Sequence, residues 1–226
     1  MTTGQPPRFS AAAERNQAPI LAQLQRLLPA SGRLLEIAAG TGQHAVFCAP
    51  GLPGWTWQPT DPSAEARASI TAWSAQSPSP GLLLPLQLDV LAEPWPLVDG
   101  QVGPAGLAAA TGATAAAGPW HAVYCANLLH IAPWACCGAL MRGAARLLGS
   151  DGRLITYGPY LVQGITTSAG NLAFDADLRT RDPQWGLRWL HDVVAEAAAV
   201  GLALQDQVAM PSNNRLLVFG RVAPRA

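Results

Sequence analysis

Apolar positions recur with two different periods along the chain, and the switches between them outline the elements. From Ser10, SAAAERNQAPILAQLQRLLP places Ile20, Leu21, Leu24, Leu27 and Leu28 at helical spacing, with Ser10 as N-cap and Glu14 in the first turn. A short apolar run follows, Arg33 to Ala38, interrupted by one carboxylate, Glu36, and closed by the turn Gly40-Thr41-Gly42. This predicts a strand, a tight turn and a short helix over Gln43 to Ala49. WTWQPTD predicts a second strand ending near Asp61, and Ser63 starts a helix through about Gln76. LLLPLQL, ending at Asp89, predicts a third strand, and WHAVYCA, ending at Asn127, a fourth. Pro133 opens a helix toward Leu148, DGRLITYGPY predicts a fifth strand, and a polar connection leads to a helix around Trp189 to Val200. LALQDQVAM and RLLVFGRV close the chain as two strands.

Strands alternating with helices imply a parallel sheet covered on both faces, because each crossover must pack back onto the sheet. The last two strands are joined only by Pro211-Ser212-Asn213-Asn214, so they must pair antiparallel. The expectation is one domain over 1–226 with a mostly parallel seven-stranded sheet and an antiparallel C-terminal hairpin. Residues 97–119 are rich in Ala and Gly with no charge after Asp99, which reads as an insertion without an assigned function.

Composition narrows the chemistry. With 14 acidic and 14 basic residues the formal net charge is zero, and no run of like charge supplies a nucleic-acid footprint. Every basic residue is arginine, which removes a lysine Schiff base, a Walker-type phosphate lysine and a lysine general base. The four cysteines have no C-x-x-C spacing, so no zinc site is expected. No membrane-length apolar stretch and no signal-peptide pattern occur, and the expected location is cytoplasmic.

In open α/β sheets ligands bind at the carboxyl ends of the strands, where strand order reverses. Glu36, the Gly40 turn, Asp61 and Asp89 all fall there. Gly40, Gly42 and Ala45 match the dinucleotide pattern G-x-G-x-x-A, and Asp61 follows Gly40 by 21 residues, near the offset of a ribose-binding acid. A pyrophosphate beside three carboxylates is poorly placed, whereas a cofactor with a sulfonium and an ammonium is well placed. This favours S-adenosyl-L-methionine over NAD. The run E-I-A-A-G-T-G, Asp61, Asp89 and the terminal hairpin resemble the Rossmann-like class I S-adenosylmethionine-dependent methyltransferases, with Ala38 where that family commonly has a glycine. AAERNQAPIL, LEIAAGTGQHAVF, WQPTDP, YCANLLHIAPW, YGPY, FDADLRTRDPQWG and AMPSNN resemble an uncharacterised methyltransferase-like family of bacteria and animals.

The resemblance implies a cofactor site in which Gly40, Thr41 and Gly42 present backbone to the methionine part and Glu36 meets its ammonium. Asp61 accepts from the ribose hydroxyls, Asp89 accepts from the adenine amino group, and Ala38, Val90 and Asn127 complete the lining. Asp61 alternatively caps the helix after Pro62, and Asp89 alternatively sits in a solvated turn. On the acceptor side Asn127, His130, Tyr157 and Tyr160 are the catalytic candidates, expected in one pocket. His130 is either a general base near neutral pH or a packing residue. Arg15, Asn16, Trp134, Asn171, Arg181, Trp185, Asn213 and Asn214 are substrate-binding candidates. Exposed helix face for Arg15 and Asn16, and a surface ion pair for Arg181, are their ordinary alternatives. The expected activity is methyl transfer to a small-molecule acceptor, with an NAD(P)-linked oxidoreductase or a non-catalytic cofactor-binding scaffold as alternatives. Oligomeric state is left open.

Overall fold

The computed structural model describes residues 6–95, 97–98, 101–102 and 119–222. Its strands are β1 (Gly32–Ile37), β2 (Trp55–Pro59), β3 (Leu97–Val98), β4 (Gln101–Val102), β5 (Trp120–Ala126), β6 (Leu148–Gly158), β7 (Leu202–Met210) and β8 (Asn214–Arg221). Its helices are α1 (Ala11–Leu27), α2 (Gln43–Cys48), α3 (Ala64–Gln76), α4 (Ala135–Leu147), α5 (Ala169–Arg181) and α6 (Leu190–Ala198). Six strands form the main sheet in the order β2-β1-β5-β6-β8-β7. The pairs β1–β2, β1–β5 and β5–β6 are parallel, while β6–β8 and β7–β8 are antiparallel. Short β3 and β4 pair with each other outside this sheet, and the rest of the expected Ala/Gly-rich insertion lies outside the described residues.

The period of two distributes each central strand between two cores. Leu35, Ile37, Val123, Cys125, Leu154, Leu217 and Phe219 face a core closed by α4 and α6. Leu34, Ala122, Tyr124, Ile155, Tyr157, Leu216 and Val218 face the core on the side of α1 and α2. Strand order reverses beside β1, because β2 lies on one side of it and β5 on the other. The carboxyl end of β1 is therefore the place where a crevice can open.

Two elements differ from the sequence expectation. LLLPLQL is not a continuous strand. It runs beside β2 through two isolated parallel bridges, Trp57 with Leu82 and Thr60 with Leu86. Pro85 between them has no N–H to donate, so the ladder breaks and six strands rather than seven form the sheet. The polar connection after β6 contains the 13-residue helix α5, whose buried side chains are only Asn171 and Leu178. So few buried positions leave no helical periodicity to read. Ser168 caps this helix, accepting from Asn171 N at 3.3 Å.

Candidate functional site

At the carboxyl ends of β1, β2 and β5 lies a crevice of about 320 Å³. Ser10, Ala12 and Ala13 at the start of α1 form one wall. Ala126, Asn127, Leu128 and Ile131 after β5 form another. Glu36, Ala38 to Thr41, His44 and Asp61 form the floor. A larger hollow of about 660 Å³ opens at the opposite end of the sheet, near Leu28, Trp120 and Arg153. It borders Pro119, where the chain continues into residues outside the described range, and it lies away from the turn after β1. The smaller crevice is the one at the topological switch point.

Backbone geometry concentrates there. Ala38 has φ 54° and Asn127 φ 60°, both in the left-handed region. A non-glycine residue there costs roughly 1–2 kcal/mol, less for Asn, and such conformations cluster at functional sites. Gly40, φ 59°, donates its N–H to Asp61 Oδ2 at 2.9 Å, and Ser63 N donates to Asp61 Oδ1 at 2.9 Å. Asp61 thus locks the glycine turn, supports the start of α3 as its capping alternative had it, and lines the crevice. Thr41 also lines the crevice and donates to Gln43 Oε1 at 3.1 Å. Gly42, φ 88°, does not line it. A Cβ there would stand 2.8 Å from Ile70 Cα, so this glycine lets α2 pack on α3.

Glu36 is 2% exposed and accepts from Trp57 Nε1 at 2.8 Å. Burial raises its pKa to about 7, the indole N–H opposes that shift and the Asp61 charge adds to it. A buried acid half-ionised near neutrality is suited to a cationic partner. Among the described residues, those lining the crevice include no arginine.

Other predicted residues are placed elsewhere. Asp89 is exposed and accepts from Leu91 N at 2.9 Å, while Val90 is buried in the core under α4. Neither lines the crevice, and Asp89 has the geometry of its turn alternative. Of the four catalytic candidates only Asn127 lines the crevice. His130 is fully buried, stacks edge-on against Tyr160 with centroids 4.9 Å apart, and its ring nitrogens have no protein partner. A Cβ on Gly158 would collide with His130 Nε2. Burial first, then the nearby Arg188 charge, lower its pKa to about 3. That is the environment of its packing alternative. Tyr160 donates to Thr156 Oγ1 at 2.8 Å in the core under α4, whereas Tyr157 points into the core on the α1 side. The expected single pocket therefore does not form: Tyr157 lies within the strand and Tyr160 beyond its end, so they face opposite sides of the sheet.

The substrate-binding candidates are likewise dispersed. Arg181 meets Asp177 at 3.7 Å and stacks on Trp185 at 5.0 Å on the surface. Trp134 lies under the Arg188 guanidinium at 5.6 Å. Asn171 Nδ2 donates to Asn213 O at 3.1 Å and ties the final hairpin to α5, while Asn214 Nδ2 donates to Pro211 O at 3.1 Å within the hairpin connection itself. Arg15 is exposed and Asn16 half-buried on α1, and neither lines the crevice.

Sequence reasoning missed Gln43 and His44. Gln43 Oε1 accepts from Ser10 N at 2.6 Å, fastening α1 over the turn. His44 lines the crevice with Nδ1 3.4 Å from Tyr124 OH, and burial lowers its pKa to about 4. Their signal was position, immediately after the Gly-Thr-Gly turn, but a polar pair opening a short helix also reads as an ordinary helix start.

A similar fold occurs in solved structures. An O-methyltransferase family 2 protein from Planctomyces limnophilus, in complex with apigenin, superposes with a TM-score of 0.72 at 18% identity, over 93% of this chain and 58% of that one. CalO1, a methyltransferase in calicheamicin biosynthesis in its SAH-bound form, gives 0.66 at 16%, over 90% and 54%. NcsB1, an O-methyltransferase from neocarzinostatin biosynthesis in complex with S-adenosylmethionine and 2-hydroxy-5-methyl naphthoic acid, gives 0.65 at 16%, over 93% and 55%. The chain spans little more than half the length of these proteins. The shared fold is that of class I S-adenosylmethionine-dependent methyltransferases. A family model described as "Protein of unknown function (DUF938)" matches residues 7–221, and the chain belongs to that family.

Proposed function

We propose that the chain is an S-adenosylmethionine-dependent methyltransferase acting on a small, largely uncharged acceptor. The observation that carries this reading is Glu36, a buried carboxylate with one indole donor, on the floor of a crevice lined by no arginine. When bound, the cofactor supplies an electrophilic methyl group. Glu36 suits its ammonium, because a cation offsets the cost of ionising a buried acid. Gly40 and Thr41 offer close backbone approach to the methionine part, and Asp61, with lone pairs beyond its two backbone donors, suits the ribose hydroxyls. The same acids disfavour a pyrophosphate, which weighs against NAD.

On the acceptor side Asn127, Leu128, Ile131, Ala12 and Ala13 give a mainly apolar wall with one amide. Such a wall orients an uncharged molecule and offers no cationic track for a polynucleotide. Enclosure of His130 argues against its use as a base, so positioning carries the chain's contribution. The apigenin complex of one neighbour agrees with a small uncharged acceptor, and the naphthoic acid of another shares its aromatic body while carrying a carboxylate. The test is a thermal-shift series with S-adenosylmethionine, S-adenosylhomocysteine and NAD, followed by transfer of labelled methyl to a metabolite library. Stabilisation by the first two ligands and not by NAD supports the reading; the reverse pattern defeats it.

A further inference from the structure

The segment Gln184 to Trp189 crosses the outside of the β5–α4 connection, and one side chain joins the two. Arg188 Nε donates to Leu129 O at 2.8 Å, and its Nη2 donates to Ala132 O at 2.9 Å and Gln184 O at 2.6 Å. One guanidinium thus ties together three backbone carbonyls, two of them on the connection that carries Leu128 and Ile131 into the crevice. Gly186 N adds a bond to His130 O at 2.9 Å. The segment is itself anchored: Leu187 N donates to Asp175 Oδ1 on α5 at 2.7 Å, and Leu161 N donates to Arg188 O at 2.9 Å.

We propose that Arg188 is a positioning residue of the methyl-transfer site: its fork fixes residues 127–132 as the acceptor-side wall of the crevice. What the wall touches rests on the methyltransferase reading above, while the clamp itself does not. Besides this clamp, the connection is held at its start by Asn127 N, which donates to Tyr157 O at 2.8 Å, and by the burial of Leu129, His130 and Ala132. His130 N and Ile131 N bond back to Asn127 O within the connection itself. Asn127, in the left-handed region, opens a turn whose later carbonyls, Leu129 O and Ala132 O, accept from Arg188. An arginine is required by geometry, since Leu129 O and Ala132 O are reached from different nitrogens of one planar group. A lysine has a single nitrogen and cannot reproduce that fork. The part of the sequence that includes Trp185 and Gly186 thereby acquires a role as a strap, which neither Arg181 nor Trp185 supplies by direct contact with the crevice.

The test compares the unaltered full-length chain with Arg188→Met and Arg188→Lys by hydrogen–deuterium exchange and by calorimetry with S-adenosylhomocysteine. Exchange over 127–132 and 184–189 should accelerate at least about tenfold in both variants, as expected for lost charge-assisted hydrogen bonds, while β1 and β8 keep their protection. Affinity for S-adenosylhomocysteine should fall several-fold in both, because Asn127 and Leu128 shift. Arg188→Lys, which keeps stem and charge, carries the comparison where Arg188→Met is not recovered folded. Unchanged exchange over 127–132, equal acceleration in β1 and β8, full rescue by lysine, or faster exchange with unaltered affinity would each overturn the proposal. Failure of the unaltered chain to bind S-adenosylhomocysteine would instead defeat the cofactor reading, and the exchange comparison would still decide on the clamp.

Discussion

At single residues, the crevice holds groups whose conformation or ionisation costs stability. Ala38 sits at φ 54°, and replacing it by glycine removes the Cβ strain while adding some unfolded-state entropy. Ala38→Gly should therefore stabilise the fold by up to about 1 kcal/mol in urea denaturation; a loss of stability would show that the methyl group packs usefully. Glu36 gives a pH dependence of definite sign. Its pKa rises from 4.5 to about 7 on folding, so the folded state holds the proton longer and stability falls as pH rises through that window. The full effect is about 3 kcal/mol above pH 7, at 1.36 kcal/mol per unit. Glu36→Gln, which still accepts from Trp57, should gain over the wild type progressively between pH 4.5 and 7 and hold that advantage above it. Parallel denaturation curves at pH 5 and pH 8 check this, and an equal gain at both would remove ionisation as the cause. Buried neutral histidines act in the opposite sense. The folded pKa values of His44 and His130, about 4 and 3, lie below 6.5, so stability drops as pH falls below about 6.5. His130→Phe, which fills a similar ring-shaped space beside Tyr160, should flatten that acid-side slope; an unchanged slope would show that His130 is not its source.

At the scale of elements, the strands and helices with strong apolar periods were legible. The first helix, β1 with its glycine turn, β5, β6 and the antiparallel hairpin all stand near their expected bounds. Failure came where the pattern was interrupted or absent. Pro85 turned an apolar run into a pair of bridges, and α5 buries too little to mark itself. The half of the crevice proposed for the cofactor was more legible than the half proposed for the acceptor, because Glu36, the turn and Asp61 are fixed by one strand–turn–helix unit and its neighbour. The acceptor half depends on which way side chains leave β6 and on contacts between distant segments, such as Arg188 with Leu129, which no local pattern encodes. Gly42 is an instance of a motif residue serving packing. Gly42→Ala should cost at least about 2 kcal/mol in denaturation, since a Cβ meets Ile70 backbone and φ is 88°. A near-neutral result would mean that α2 and α3 can part without penalty.

For the whole molecule, zero formal charge and a crevice lined, among the described residues, by two acids and no arginine suit small cationic or neutral ligands better than polyanions, in line with the proposed function. Among the described residues no helix is long and apolar enough to cross a membrane. On the proposed function, Glu36 and the Gly40 turn hold the amino-acid end of an adenosyl cofactor. Isothermal calorimetry with S-adenosylhomocysteine at pH 7, repeated in two buffers of different ionisation enthalpy, tests it most directly. A 1:1 complex with net proton release is expected from the wild type, as the ligand ammonium drives Glu36 to its ionised form, and weaker binding without that release in Glu36→Gln. No binding of S-adenosylhomocysteine to the folded chain, or binding as tight and with the same proton release in Glu36→Gln, would contradict it.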